Sequence, residues 1–472
     1  MEANEFQDDS SDDLVIELVK QYEAALKEQQ QVFLEEENYE QIVEFYITAR
    51  AYKNALNAIE SALEHYSFSS FFYTKKAEVL ANQKHFSEAL ALLDEAQRLD
   101  PNDINIFLIR ADVFLWEGKH ELALEEVEYA MTITEDSFDK CELYLELADI
   151  WEDQEKYSEV IAALKEAVKY DPKNQEGLNR LWFCFELTGK YEESIEFHLA
   201  LIETSPYSHM AWFNLGHAYA GLGENEKALD AFEYVLAIND LIDAPYICIG
   251  DVKYNMEKYE EALDYYMQAM KLATPTKELH LKVAETYEKL GDMSKSRASL
   301  RKAITIDPYY DEAFYRIGET YRQEEKWAKA ISSLERAVLL NNENTEYLAA
   351  LAEAYMSIDE GDKAMELFER IFQIDPQIKQ NWINLATAYF NVENYRKAFH
   401  VLNEAEQRYE NSADIFYIKA VFYFQAGNRH EALLNLERGL ITSFSEHLMI
   451  FEMDDSLLDD PAVLQVIEQY RD

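Results

Sequence analysis

The chain has 472 residues, 48% of them hydrophobic, and its 92 acidic against 43 basic side chains give a net charge of -49. So anionic a surface cannot gain counterion release from a phosphate backbone and is repelled by acidic lipid, so neither nucleic acid nor a membrane surface fits as its partner. Cys141, Cys184 and Cys248 form no CxxC or zinc-ligand spacing, no apolar run approaches the ~18 residues of a membrane span, and the acidic start MEANEFQDDSSDD is unlike a secretory signal. A soluble protein of a reducing compartment, the cytoplasm, is expected, and only 12 Gly and 8 Pro leave long helices uninterrupted.

Residues 1–13 are acidic and offer little to bury, which predicts a disordered tail. Leu14, Val15, Leu18, Val19, Tyr22, Ala25 and Leu26 recur at helical spacing and predict an N-terminal capping helix over 14–35. A repeating frame follows, with units starting at 36, 70, 104, 141, 175, 209, 243, 277, 311, 345, 379 and 413; each step is 34 residues except the 37 from 104 to 141. The clearest copy reads Trp212, Leu215, Gly216, Tyr219, then Ala228 and Phe232. The eighth residue is small in ten of the twelve units, from Ala77 to Ala420, and the twentieth is Ala in nine. The eleventh is aromatic in ten, including Tyr46, Trp151, Tyr219, Tyr321 and Tyr423. Two antiparallel helices explain the pattern: small residues let them approach, and the aromatic ring fills the space left beside them. Pro101, Pro172, Pro206, Pro308 and Pro376 cannot continue the second helix, and Gly118, Gly189, Gly223, Gly291 and Gly427 sit at the turn within each pair.

This pattern resembles the W-x2-L-G-x2-Y and A-x3-F signature of tetratricopeptide repeats, and the chain is identified as a member of that family over residues 36–446. The resemblance implies an all-α fold, an α-solenoid in which twelve antiparallel helix pairs form a right-handed superhelix. One unit departs from the pattern. Between 175 and 208 the small positions hold Trp182 and Leu201, with Ser194 at the usual Ala, one unit downstream of the longer link Thr134–Lys140. Local repacking and a change of superhelix pitch are the two readings. Residues 447–472 read as a partial repeat, Leu448–Met453, and a C-terminal capping helix that starts at Asp460-Pro461 and bears Val463, Leu464, Ile467 and Tyr470 on one face.

Chemistry-bearing motifs are missing from the sequence. The ten histidines are scattered, and there is no HExxH, no glycine-rich phosphate loop and no nucleophile elbow. The repeats leave too little chain for an appended catalytic domain, so no catalytic residue, metal site or cofactor is expected. Nor does any unit pair Lys at its fifth residue with Asn at its ninth, as chaperone-tail docking members of the family do. Asn214 and Asn384 match that site's second Asn but lack its basic neighbours.

The resemblance places the second, fifth, ninth and twelfth residues of each first helix on the concave wall. Eight of the twelve ninth residues are acidic: Glu44, Glu78, Asp112, Asp149, Asp251, Glu285, Glu319 and Glu353; Phe183 and His217 interrupt them. This ladder predicts a basic ligand, with Phe183 and Phe213 available to an apolar centre; plain solvated carboxylates are the alternative. In the last two units Ile383, Thr387, Phe390, Tyr417, Val421 and Phe424 give an apolar wall, for a partner or for the chain's own C-terminal tail. Residues 277–310 hold seven cations against five acids, the one net-positive unit, whereas residues 1–35 sum to -8. A contact between these two regions and a merely solvated helix face are both open. The functional expectation is a non-catalytic protein-interaction scaffold whose partner is a protein or peptide. A subunit that self-associates or joins a larger complex, or a regulatory arm of an enzyme on another chain, is the alternative.

Overall fold

The computed structural model describes residues 8–27 and 33–471. Among them there is no strand. A first helix, Asp8–Lys27, is followed by twelve helical hairpins that run from Glu36 to Thr442, and then by short helical segments ending in Pro461–Gln469. The chain is an all-α solenoid of antiparallel helix pairs. Two compact units divide it, one through Leu241 and the other from Ile242, and six of the hairpins belong to each.

Helix starts follow local chemistry. Asp103, Asp136, Asn174, Ser208, Thr276 and Asn344 each accept a backbone N–H at the start of the first helix of a hairpin. Second helices stop at Leu99, Tyr170, Thr204, Ile306 and Ile374, two residues before the prolines that exclude further helix. The turn inside every hairpin is set by one residue, the fifteenth of the unit, in the left-handed region. It is glycine five times, but Arg50, Lys84, Glu155, Glu257, Glu325, Asp359 and Glu393 adopt the same conformation, with φ between 54 and 66°. Sequence reasoning identified the five glycines and missed the other seven, because nothing in their side chains announces a positive φ.

The small positions do what the spacing implies. A Cβ on Gly216 would lie 2.6 Å from the Phe232 ring, and one on Gly250 would lie 2.5 Å from that of Tyr266. In these units the eighth residue thus seats the twenty-fourth, as Gly318 does Leu334. All twelve residues at the twentieth position are buried, Val160, Ser194 and Ser296 among them.

The ends differ from expectation in two respects. The N-terminal helix begins at Asp8, so it takes in residues 8–13 of the segment read as a disordered tail; residues 1–7 lie outside the described residues. It is described as far as Lys27, residues 28–32 lie outside the described residues, and residues 33–35, which the reading included, are not helical. Val19 and Tyr22 pack it on Tyr39, Ile42 and Val43 of the first hairpin, and the Tyr46 hydroxyl donates to Glu23 at 3.1 Å. At the other end Ile450, Leu457, Val463 and Ile467 close over Tyr417, Val421, Leu436 and Leu440 of the last hairpin.

The 175–208 unit repacks. Its first helix, Gln175–Thr188, packs more extensively on the helix His209–Gly221 than on its own partner, Tyr191–Thr204. Trp182 leaves no room for close approach, and polar groups occupy the widened space. His198 is fully buried; its Nδ1 donates to the Ser194 carbonyl at 2.8 Å. The Asn214 amide donates to the Leu178 carbonyl at 2.8 Å and to His198 Nε2 at 3.3 Å. Burial pulls His198 down to about 4, so the imidazole is neutral at physiological pH and acts as a packed polar core group.

Candidate functional site

The ninth residues lie along the line of first helices, and ion pairs between successive first helices establish that line. Asp149 meets Arg180 at 2.6 Å, Asp251 meets Lys282 at 2.7 Å and Glu285 meets Arg316 at 2.6 Å. In each case the cation is the sixth residue of the following unit, 31 residues on. Arg322 completes the series by pairing with both Glu319 and Glu353. The ladder read from sequence as open acidity is therefore largely neutralised by the chain itself. Glu78 also has a cation, Lys75, at 3.0 Å. Glu44 and Asp112 form no ion pair among the described residues.

Around Asp112 the rule is inverted. The sixth residue of the next unit is Glu146, so one carboxylate faces another where a cation stands elsewhere. Burial, reinforced by the charges of Asp149 and Glu78, lifts Asp112 to about 6. Burial and the charges of Asp112 and Asp149 lift Glu146 to about 8, although Arg180 opposes the shift. Asp149 is raised too, by burial against the pull of Arg180. Arg180 is already engaged by Glu152 at 2.8 Å and Glu176 at 3.3 Å as well as by Asp149. One Glu146 carboxylate oxygen is buried without a hydrogen-bond partner. This crowding was legible in principle, since Glu146 stands where the paired units carry Arg or Lys, but the pairing of a ninth residue with the next unit's sixth appears only when hairpins stack.

Phe183, the ninth residue of the repacked unit, is 51% exposed on this line of helices. In the next unit Phe213 is half-buried and sits edge-on to His217 at 4.6 Å and to Phe232 at 5.7 Å, and Trp182 also lies 5.1 Å from His217. A cavity of about 470 Å³ opens at the start of this splayed hairpin, between Lys173, Leu178, Pro206, Tyr207 and Met210.

The apolar wall expected in the last two units is not an open surface. Tyr417 is fully buried and Val421 is 1% exposed; the Tyr417 hydroxyl donates to the Ser443 carbonyl at 2.7 Å. Phe424 is partly buried in the same cluster, Ile383 and Phe390 are buried, and Phe390 stacks on Phe422 at 4.0 Å. The chain's own C-terminal segment covers Tyr417 and Val421, so of the two readings the tail is the occupant. Asn214, which matched one Asn of a chaperone-tail site, is likewise a core residue.

Tetratricopeptide-repeat family models match residues 46–104, 209–241, 246–275, 278–310 and 321–389. The chain is a tetratricopeptide-repeat protein. A further model, described as anaphase-promoting complex, cyclosome, subunit 3, matches residues 359–439. Among curated proteins this tetratricopeptide-repeat chain is similar to anaphase-promoting complex subunit 3 of Schizosaccharomyces pombe, 26% identical over 167 residues, which are 35% of this chain and 25% of that protein. It is also similar to the TPR repeat-containing protein YpiA of Bacillus subtilis, 21% identical over 242 residues, 51% of this chain and 56% of that one. The chain thus spans about a quarter and about half the length of these two relatives. Among solved structures it is similar to the APC/C hetero-tetramer Cut9-Hcn1, with a TM-score of 0.36 and 12% identity, covering 97% of this chain and 99% of that one. Among the described residues of this tetratricopeptide-repeat protein, no helix is long and apolar enough to cross a membrane.

Proposed function

We propose that the chain is a non-catalytic protein-interaction scaffold whose first compact unit binds a basic segment bearing an apolar or aromatic anchor. The observation that carries this reading is the crowding of Asp112, Glu146 and Asp149, all raised by burial, with Asp112 raised further by Asp149 and Glu146 by both others. A lysine or arginine from a partner would supply the counter-charge that Lys282 and Arg316 supply elsewhere. Phe183, half-exposed on the same line of helices, is a ready seat for an apolar side chain. Glu319 and Glu353, already shared by Arg322, have less to offer a ligand than their place in the ladder implied. Three cysteines free of disulfides fit a cytoplasmic setting.

The test is affinity capture from the native cell, followed by titration of the captured protein at two salt concentrations. Phe183→Ala should weaken binding about tenfold through faster dissociation, and Asp112→Asn should reduce its dependence on salt. A partner indifferent to salt and to both substitutions would remove the groove reading.

A second reading, a structural subunit of a larger complex, is favoured by the match of residues 359–439 to the family model named for a subunit of such an assembly. Light scattering on the purified chain together with its captured partners separates the two. A stoichiometric, salt-resistant assembly supports the subunit, and a monomer that exchanges partners supports the adaptor.

A further inference from the structure

The second helices of the 277–310 and 311–344 units invert the charge of the surrounding chain. Helix Met293–Ile306 carries Lys295, Arg297, Arg301 and Lys302 and no acid, and Trp327–Leu340 adds Lys329 and Arg336 against Glu335 alone. Several cations of this stretch are matched by nearby carboxylates: Lys277 by Asp307 at 2.6 Å, Lys295 by Asp292 at 2.8 Å, Arg297 by Glu324 at 3.0 Å and Lys326 by Glu324 at 2.9 Å. Arg301 and Lys329 are different. Both are exposed, neither forms an ion pair among the described residues, and both converge on Tyr321. Arg301 Nη2 donates to the Tyr321 hydroxyl at 3.1 Å, the Lys329 ammonium lies 5.6 Å from the ring centroid, and the Arg297 guanidinium lies 4.4 Å from it.

We propose that this cluster around Tyr321 is a docking point for an acidic peptide segment of a partner protein, with one carboxylate on the Arg301 guanidinium and a second on the Lys329 ammonium. A guanidinium has five N–H donors in a planar fork, and the Tyr321 contact uses one edge, so the fork is held in place with donors left for a bidentate carboxylate. Charge complementarity also sets the class of partner. In a chain of net charge -49 an acidic segment is repelled by most of the surface and attracted at this patch, so register comes from repulsion as much as from attraction. Screening over roughly 8 Å at physiological salt lets a short acidic segment sense the patch alone, whereas an extended polyphosphate would overlap the acidic surface around it. The inference is independent of the basic-ligand reading, since it concerns second helices of the other compact unit and the opposite sign of ligand.

The experiment uses the full chain and a short fluorescein-labelled polyglutamate peptide, followed by fluorescence anisotropy at two salt concentrations. Saturable binding that weakens with salt is expected. Arg301→Glu combined with Lys329→Glu should reduce it at least about tenfold, Arg301→Lys should reduce it less, and Lys271→Glu, an exposed cation elsewhere in the unit, should leave it unchanged. Circular dichroism of each variant confirms that the helices are intact. Absence of saturable binding, or equal binding by the double variant, overturns the proposal. So does stronger competition by single-stranded RNA or anionic vesicles than by unlabelled peptide. A concentration-dependent dimer abolished by the same double substitution would make the occupant a second copy of this chain, and would likewise overturn the assignment to a separate partner.

Discussion

Asp112 and the carboxylates of Asp251, Glu285, Glu319 and Glu353 occupy the same place in the same repeat, yet they live in opposite electrostatic environments. In the later stretch Asp251, Glu285, Glu319 and Glu353 each have a cation from a neighbouring position, and in the earlier one Asp112 has Glu146. The repeat therefore fixes where a carboxylate stands, and other positions decide what it is worth: the sixth residue of the next unit for Asp251 and Glu285, and Arg322, the twelfth of its unit, for Glu319 and Glu353. Arg or Lys at the sixth position pairs Asp149, Asp251 and Glu285 across successive hairpins, whereas Glu146 there sets a second carboxylate against Asp112.

Substitutions on both sides test this contrast. Arg316 holds Glu285 at 2.6 Å, Glu312 at 2.8 Å and Glu288 at 3.7 Å, so Arg316→Met strands three carboxylates and should cost about 2 kcal/mol in urea denaturation. A loss near zero would mean the pairs of the later stretch are ornamental and that the two regions do not differ energetically. Packing should not distinguish the regions. Gly216→Ala and Gly250→Ala press a methyl group to 2.6 Å and 2.5 Å from an aromatic ring, and each should cost about 1.5 kcal/mol even after the gain in helix propensity. A large inequality between them would trace the contrast to core geometry rather than charge.

Glu146→Gln should act in the opposite direction from Arg316→Met. A carboxyl raised from its ordinary 4.5 to about 8 keeps a proton in the fold that the unfolded chain releases. Its favourable contribution is full below pH 4.5 and is lost as pH rises towards 8. The Gln variant cannot ionise, so it should match the wild type near pH 4.5 and exceed it by about 1 kcal/mol at pH 8, read from thermal melts across that range. A variant less stable than wild type at pH 8 would show that Glu146 is compensated. The smallest effect belongs to the turns. Glu155 has φ 56°, and Glu155→Gly should stabilise its hairpin by about 0.5 kcal/mol, the relief of left-handed strain less the entropy of a glycine in the unfolded chain.

Much of the architecture was legible because it rests on period and size. The frame from 36 to 446, the small eighth residues and the proline stops all follow from which side chains fit between two helices, and a single sequence displays them. The left-handed turns at Arg50 or Glu155 were hidden, since the helices on either side impose that conformation whatever the residue. The ladder was visible as a row of acids, but its neutralisation depends on pairs such as Asp149 and Arg180 that only become neighbours when hairpins stack. Tyr417 and Val421 showed the limit of counting faces: an apolar position on a first helix is a wall only if nothing lies against it. The same holds for Trp182, whose bulk signalled a departure from the repeat without revealing that His198 and Asn214 would fill the gap.

The closure of Ile450, Leu457 and Val463 over the last hairpin bears on how the chain should be handled in the laboratory. A fragment cut at 446 would keep all twelve repeats and be the natural choice from a repeat map, yet it would expose Tyr417, Val421 and Leu440 together. Such a fragment would carry a sticky terminus, and its precipitation, or an apparent oligomer that assembles through that end, would be an artefact of truncation. Binding measured on it would report capture by an unmasked hairpin, so preparations meant for partner screening need residues 447–472 in place.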